Sequence, residues 1–352
     1  LEEIAVIINF ILDKVWYMLK GAIFGYGSVG KSMHRQICEN FREAAEIVAV
    51  CDISSEVLEK CKSEYGVNTH TTLGSMLNQK LDFVLITSTS VAHASAAITC
   101  ANKQIPFLIE KPIALSYAES KEVCEIVRKS GILTVVNYSM RFSPLSRKIK
   151  EYVSKGKCGD LLSVCVSSYR GYGLYGSGKR HPAIIDPRTS GGWIIHHLTH
   201  IVDFAIWLAG PVKEVHALTR TTAPEELQSE EVICSLLKFN NGVIGTVTDQ
   251  VGALRDHKIQ IVGKLGGLTE VGGEAKPMLK YSSENKPYGN HELIDLSKNT
   301  SDGSGLQHFF ACLSSGASSE MPIFEALAAT QTCEAIKKSA YENRTVQVSE
   351  IY

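Results

Sequence analysis

The sequence predicts an α/β domain with a doubly wound parallel sheet, followed by an α+β domain on an open, mainly antiparallel sheet. Three observations carry this. From Lys20 to about Asn137, short apolar runs alternate with amphipathic stretches, the rhythm of strand–helix crossovers. The loop Gly25-Tyr26-Gly27-Ser28-Val29-Gly30 joins the first such strand to its helix. After Pro144 strand-like runs follow one another with few helices between them, which favours antiparallel pairing.

In the first half the strands are placed at Gly21–Phe24, Ile47–Asp52, Phe83–Thr87, Phe107–Glu110 and Leu133–Asn137. Helical spacing covers Val29–Asn40, Ser54–Tyr65, Val91–Asn102 and Tyr117–Ser130, with Ser28, Ser54, Ser90 and Ser116 in N-cap positions. In the second half a helix at Leu145–Ser154 leads to a strand, Leu161–Arg170, and a glycine-rich loop reaching Gly192. A strongly apolar helix, Trp193–Leu208, stops at Gly210-Pro211. Strands are expected at Val212–Arg220, Glu231–Phe239, Val243–Val251, Lys258–Val262 and Gly267–Val271, and a last helix at Ile323–Glu342.

A chain of 352 residues is long for one core. The expected division is an extension at 1–17, a dinucleotide-binding domain at 18–140 and a substrate-binding and oligomerisation domain at 141–352. The extension is too short and polar to span a bilayer, and Met18 is a candidate natural start. A net charge of −1 without runs of like charge argues against a nucleic-acid partner. The ten cysteines are scattered and form no C-x-x-C, so they read as free thiols in a reducing, cytoplasmic setting.

The glycine loop has the context that gives it meaning. Gly25 permits the tight turn, Gly27 lets the backbone approach a pyrophosphate, and Gly30 lets helix and strand pack closely. Tyr26, Ser28 and Val29 belong to the same cradle. Asp52 ends the next strand, 22 residues after Gly30; a carboxylate there accepts from ribose hydroxyls and repels a 2′-phosphate, which argues for NAD over NADP. Thr87, Ser88 and Thr89 are expected along the cofactor's path. His93 faces either the nicotinamide region or solvent.

Chemistry is expected at Glu110-Lys111-Pro112, where Pro112 restricts Lys111 to extended geometry at a strand end. A partly desolvated lysine beside a nicotinamide exchanges a proton with a substrate hydroxyl. The second cluster is Gly191-Gly192-Trp193-Ile194-Ile195-His196-His197-Leu198-Thr199-His200, ending at Asp203. His196 and His200, four apart, share a helix face. Two histidines without further ligands do not make a metal site, so none is expected. His197 and Asp203 project elsewhere and suit buried, hydrogen-bonded roles.

These motifs, with Asn137-Tyr138-Ser139-Met140-Arg141-Phe142-Ser143-Pro144 and Trp207-Leu208-Ala209-Gly210, resemble the glucose–fructose oxidoreductase/inositol dehydrogenase (Gfo/Idh/MocA) family over nearly all of residues 18–350. The resemblance implies an N-terminal Rossmann domain, a C-terminal open-sheet domain making homodimer or homotetramer contacts, and a cleft between them. It implies that Lys111 is the catalytic lysine and His200 the substrate-binding or proton-relaying histidine. Family dehydrogenases commonly have an aspartate where this chain has His196, which lacks a carboxylate's fixed charge. Tyr138, Arg170, Asp186 and Arg188 are candidate substrate contacts, with Tyr169 and His181 behind them. The expected activity is hydride transfer between NAD(P) and a secondary hydroxyl or ketone of a carbohydrate-like molecule. The alternatives are an NAD-using lyase- or hydrolase-type cycle with transient oxidation, and a nucleotide-sensing regulator without catalysis.

Overall fold

The computed structural model describes residues 18–171, 186–221, 229–252, 255–271, 277–284, 291–296 and 303–352. The extension at 1–17 and His181 lie outside them. The described residues fall into two compact units. The first runs to Ala114 and adds Glu119–Asn137 and Gly305–Phe324; the second comprises Leu115–Ala118, Tyr138–Ser304 and Glu325–Tyr352.

In the first unit β1 (Leu19–Phe24), α1 (Ser28–Asn40), β2 (Ala45–Cys51) and α2 (Ser55–Tyr65) follow the expected alternation within a residue or two. They continue as β3 (Asn68–His70), β4 (Phe83–Ile86), α3 (His93–Asn102), β5 (Phe107–Ile109), α4 (Tyr117–Ser130) and β6 (Thr134–Val136). Among the described residues the six strands pair in parallel in the order β3-β2-β1-β4-β5-β6. That order reverses beside β1, the position at which such sheets bind dinucleotides. β3, Asn68-Thr69-His70, has no sequence signature because it contains none of the apolar residues that mark the other strands.

The segment Gly305–Phe324 completes this core. Phe83, fully buried in β4, meets Phe309 and Phe310 edge-on at centroid distances of 6.0 and 5.2 Å. Thr134 Oγ1 accepts from Ile323 N at 3.0 Å, and Val136 N donates to Met321 O at 2.9 Å. Gly21 is required opposite Phe83: a Cβ there would lie 2.0 Å from the ring.

The second unit contains α5 (Pro144–Ser154), β7 (Leu161–Arg170), α6 (Thr199–Ala209), β8 (Val212–Arg220), β9 (Val232–Phe239), β10 (Ile244–Val251), β11 (Asp256–Gly263) and β12 (Gly266–Val271). β13 (Met278–Ser283), β14 (Glu292–Asp295), α7 (Leu327–Glu342) and β15 (Val346–Gln347) complete it. The described strands form a sheet in the order β14-β13-β12-β11-β7-β10-β9-β8-β15. Every pair is antiparallel except β7 with β10, which run parallel. Succession in sequence does not anticipate that pairing, because the turn cluster and α6 between β7 and β8 let the chain re-enter the sheet in the same direction.

Period-2 alternation turns Val164, Val166, Ile233, Leu237, Val247, Ile259 and Ile261 inward, each at most 1% exposed. The opposite face shows Leu218, Leu236 and Ile244 at 61, 55 and 47% exposure. Two helix expectations are corrected. The last helix begins at Leu327, after a 3-10 turn at Ile323–Ala326. The apolar helix expected at Trp193–Leu208 opens as a π-helical turn, Ile194–Leu198, and becomes α-helical only from Thr199. No helix among the described residues is long and apolar enough to cross a membrane. All ten cysteines are free, with Cys38 and Cys234 exposed.

Candidate active site

In the first unit the carboxyl ends of β2, β1, β4, β5 and β6 stand side by side. They carry in turn Asp52, the glycine loop, Thr87-Ser88, Glu110-Lys111 and Asn137. Gly25 adopts φ +94°, and a Cβ there would come within 2.3 Å of the Ser88 Cα. A Cβ on Gly30 would lie 2.3 Å from Gly25 O and 2.9 Å from Thr87 Oγ1. Thr87 Oγ1 donates to Gly25 O at 2.6 Å, so the threonine braces the loop from the neighbouring strand. A Cβ on Gly27 would meet nothing within 4 Å. Gly27, Ser28 and Val29 are exposed.

Gly27, not Ser28, is the N-cap of α1, and no side chain caps that helix. The first turn of α1 contains no acidic residue. Its N–H groups are therefore left for an anion, which is the fit a pyrophosphate requires. By contrast, Ser54 caps α2 as expected, accepting from Val57 N at 3.3 Å. Ser90 is no cap either; it lies within a 3-10 turn, Ser90–Ala92, ahead of α3.

Asp52 is set by the backbone. Its Oδ2 accepts from Tyr26 N at 2.7 Å and its Oδ1 from Ser54 N at 2.9 Å. Each oxygen keeps a second lone pair for a ribose hydroxyl. The Tyr26 side chain turns away from the loop surface into the core, where its hydroxyl lies 2.6 Å from His34 Nδ1. Burial raises the phenol and lowers His34 from their usual values. Only the backbone of Tyr26 remains at the loop surface.

His93 is neither on the surface nor turned to open space; it is 1% exposed. Its Nδ1 lies 2.6 Å from Pro112 O and its Nε2 3.0 Å from Ser88 O. The ring ties the loop after β4 to the Lys111-Pro112 turn after β5. Burial holds it below the usual histidine range. Glu110 Oε1 accepts from Asn137 Nδ2 at 2.5 Å. Burial pushes the Glu110 carboxyl upward, against the charge of Lys111 and the Asn137 bond. Lys111 itself is half-buried.

In the second unit Gly191 and Gly192 take φ +81° and +84°, and Trp193 N donates to Ser229 Oγ at 2.7 Å. The π turn that follows, a wider winding often found at functional sites, buries Ile194, Ile195, His197 and Leu198 and leaves His196 and His200 half-exposed. Tyr138 is fully buried; its hydroxyl lies 2.8 Å from Thr199 Oγ1, and its ring meets His200 edge-on at 5.9 Å. It stands behind His200 as support, which corrects its expected role as a substrate contact: a ring with no exposed surface has nothing to present. Asp203 accepts a two-pronged bond from Arg141, with both N···O distances 2.7 Å, and both residues are buried. His197 Nδ1 lies 2.5 Å from Asp249 Oδ2.

Asp186 caps the short turn Pro187–Thr189 and pairs with exposed Arg188, Nε to Oδ1 at 2.8 Å. The pair is an anion and a cation already joined. Arg170 and Tyr169 are half-buried at the end of β7. A cavity of about 650 Å³ in this unit is lined by Ile195, Glu230, Glu334, Lys337 and Tyr341 among others, and by neither His196 nor His200. Among the described residues no three histidine, cysteine or acidic side chains converge as a metal site. His197 and Asp203 are buried and hydrogen-bonded as expected; Asp249, and the pairing of Arg141 with Asp203, are what the motif reading missed. The partners are 52 and 62 residues apart, and no local spacing signals such a contact.

An uncapped helix opening on three exposed loop residues, with an anchored carboxylate one strand away, defines a dinucleotide-binding protein. Comparison with known proteins narrows the class. Residues 19–138 match the oxidoreductase family with an NAD-binding Rossmann fold, and residues 146–269 match the GFO/IDH/MocA C-terminal domain. The chain belongs to the Gfo/Idh/MocA family of NAD-binding oxidoreductases. D-apiose dehydrogenase of Paraburkholderia graminis is 24% identical over 358 residues, covering 94% of this chain and 90% of that protein. Myo-inositol 2-dehydrogenase of Thermotoga maritima is 24% identical over 255 residues, 69% of this chain and 72% of that one. A levoglucosan dehydrogenase solved with NADH and levoglucosan superposes with a TM-score of 0.83 at 19% identity, covering 94% of this chain and 100% of its own.

Proposed function

We propose that this protein is an NAD-dependent dehydrogenase interconverting a secondary hydroxyl and a ketone on a sugar, cyclitol or sugar derivative. The observation that carries the reading is the position of Lys111, half-buried on the same sheet edge as the glycine loop and Asp52. The names of the relatives, apiose and inositol dehydrogenases, support the substrate class. Bound NAD supplies the hydride acceptor. Lys111 takes the hydroxyl proton as the carbinol carbon is oxidised, and its ammonium then stabilises alkoxide character on the oxygen. His93 and Glu110 hold the turn that carries Lys111. His200 binds the reacting hydroxyl, with His196 assisting and Tyr138 fixing the His200 ring from behind. Asp52 selects NAD.

The test is an absorbance screen at the reduced-nicotinamide band, run with NAD and NADP over sugars, inositols and sugar acids. Substrate-dependent NADH is the expected result; NAD that co-purifies and is recycled without NADH accumulating favours the lyase-type cycle instead. The exposed face with Leu218, Leu236 and Ile244 is assigned to contacts with further copies of this chain. Leu236→Glu should then lower the mass measured by light scattering, and an unchanged mass rejects that assignment.

A further inference from the structure

His197 and Asp249 belong to no role assigned above, yet they form a short buried polar contact in the second unit. Asp249 is the innermost residue of β10, with no exposed surface, flanked by Ser168 of β7 and Ile233 of β9. Its Oδ2 lies 2.5 Å from His197 Nδ1, and its Oδ1 accepts no hydrogen bond among the described residues. A carboxylate buried in this way needs a counter-charge, because desolvation penalises an unpaired anion heavily. Its contact is an imidazole whose other face is occupied too. The indole of Trp193 lies parallel to the His197 ring, 4.6 Å between centroids and 11° between planes. An aromatic face attracts a cation.

Other ionisable groups pack around the pair. From the helix Ser139–Phe142, Arg141 is held by Asp203 of α6. Arg170 of β7 and Glu231 beside β9 share the inward register of Asp249, two positions beyond its cross-strand neighbours Ser168 and Ile233, and bring one cation and one anion to that face; Ser235 of β9 is neutral. Cys333 of α7 and Tyr138 are kept protonated by burial. His200, on the same helix, meets the His197 ring at 5.8 Å and 64°.

We propose that Asp249 and Trp193 hold His197 as a permanent imidazolium, whose charge keeps the adjoining His200 neutral. His197 is thus a positioning residue: it sets the protonation state of His200 without touching substrate. The inference deepens the assignment of His200 above and rests on it. A neutral imidazole both accepts and donates a hydrogen bond, as a group holding an alcohol in one direction and a ketone in the other must do. A like charge beside it disfavours its protonation.

The first measurement uses the intact wild-type chain labelled with ¹⁵N-histidine. Long-range ¹H–¹⁵N correlation spectra report which ring nitrogens carry protons, with signals assigned through His197→Gln and Asp249→Asn. His197 should show two protonated nitrogens up to about pH 8, while His200 shows one bare nitrogen from about pH 6 upward. A bare nitrogen on His197 at neutral pH, including the case of a protonated Asp249 donating to Nδ1, overturns the proposal. The second is the pH profile of kcat/KM. His197→Gln keeps a donor for Asp249 and removes the cation, so the acid limb should move up by about one pH unit. An unmoved limb overturns the proposal. Absence of turnover on every sugar, with the wild-type spectra as expected, would instead remove the dehydrogenase reading and leave the charged pair standing. Should the variant fail to fold, the wild-type spectra decide, assigned through backbone correlations.

Discussion

The two units build their sites from different material. In the first, the groups facing a cofactor are main-chain N–H groups at an uncapped helix end, and side chains serve to brace them: Thr87 on Gly25 O, Asp52 on Tyr26 N, His93 between two carbonyls. In the second, the proposed working groups are side chains, imidazoles on the π turn and the first turn of α6, with Tyr138 against His200 and Asp249 and Trp193 against His197. A backbone site needs particular glycines at particular spacings. A side-chain site needs partners that tertiary folding brings in.

The largest effect expected from breaking this contrast is at Lys111, where a side chain acts on the backbone-built edge. Lys111→Ala should lower kcat/KM by about 10³- to 10⁴-fold while NAD binding, followed by titration calorimetry, is retained. Loss of NAD binding along with turnover would mean the lysine serves the cradle, not the chemistry. Next comes the side-chain framework of the second unit. Arg141→Met leaves the Asp203 carboxylate buried alone and should cost about 3–5 kcal/mol in urea unfolding, and replacing both partners with apolar residues should restore much of it. A loss under about 1 kcal/mol would show the pair to be dispensable.

The smallest effect concerns His93, a side chain serving the backbone-built unit. Burial lowers its affinity for a proton in the folded state, so the unfolded chain takes up the proton more readily. Stability from this group is present above the unfolded value of about 6.5 and declines as pH falls below it, by at most about 1.4 kcal/mol per pH unit. His93→Asn should flatten that acid slope in melting curves; an unaltered slope would show that His93 is not its source.

The same contrast decides what could be read from the sequence. The parallel half was legible nearly strand by strand, since β1, β2, β4 and β5 are buried apolar runs closed by Gly25, Asp52, Thr87 and Glu110. So was the cradle, because its function resides in glycines. His196 and His200 were legible as a pair of half-exposed histidines beside the glycine pair. What stayed hidden depends on contacts at long range. The β7–β10 parallel pairing, the Asp249–His197 contact and the inward turn of Tyr138 and His93 each depend on which strand lies beside which. The π turn was hidden for another reason. Ile194-Ile195-His196-His197-Leu198 has the composition of an ordinary apolar helix, and nothing in its spacing marks the wider winding.

The return of Gly305–Phe324 to the first unit orders events in time. A ribosome that has finished β6 has made every strand of the nucleotide sheet, but not Phe309, Phe310, Met321 or Ile323, the fully or nearly fully buried residues that close its β5–β6 side and the ring of Phe83. Until residues 305–324 have been synthesised, that half waits with an uncovered apolar flank, and a fragment ending at Asn137 would meet the cell in that unfinished condition.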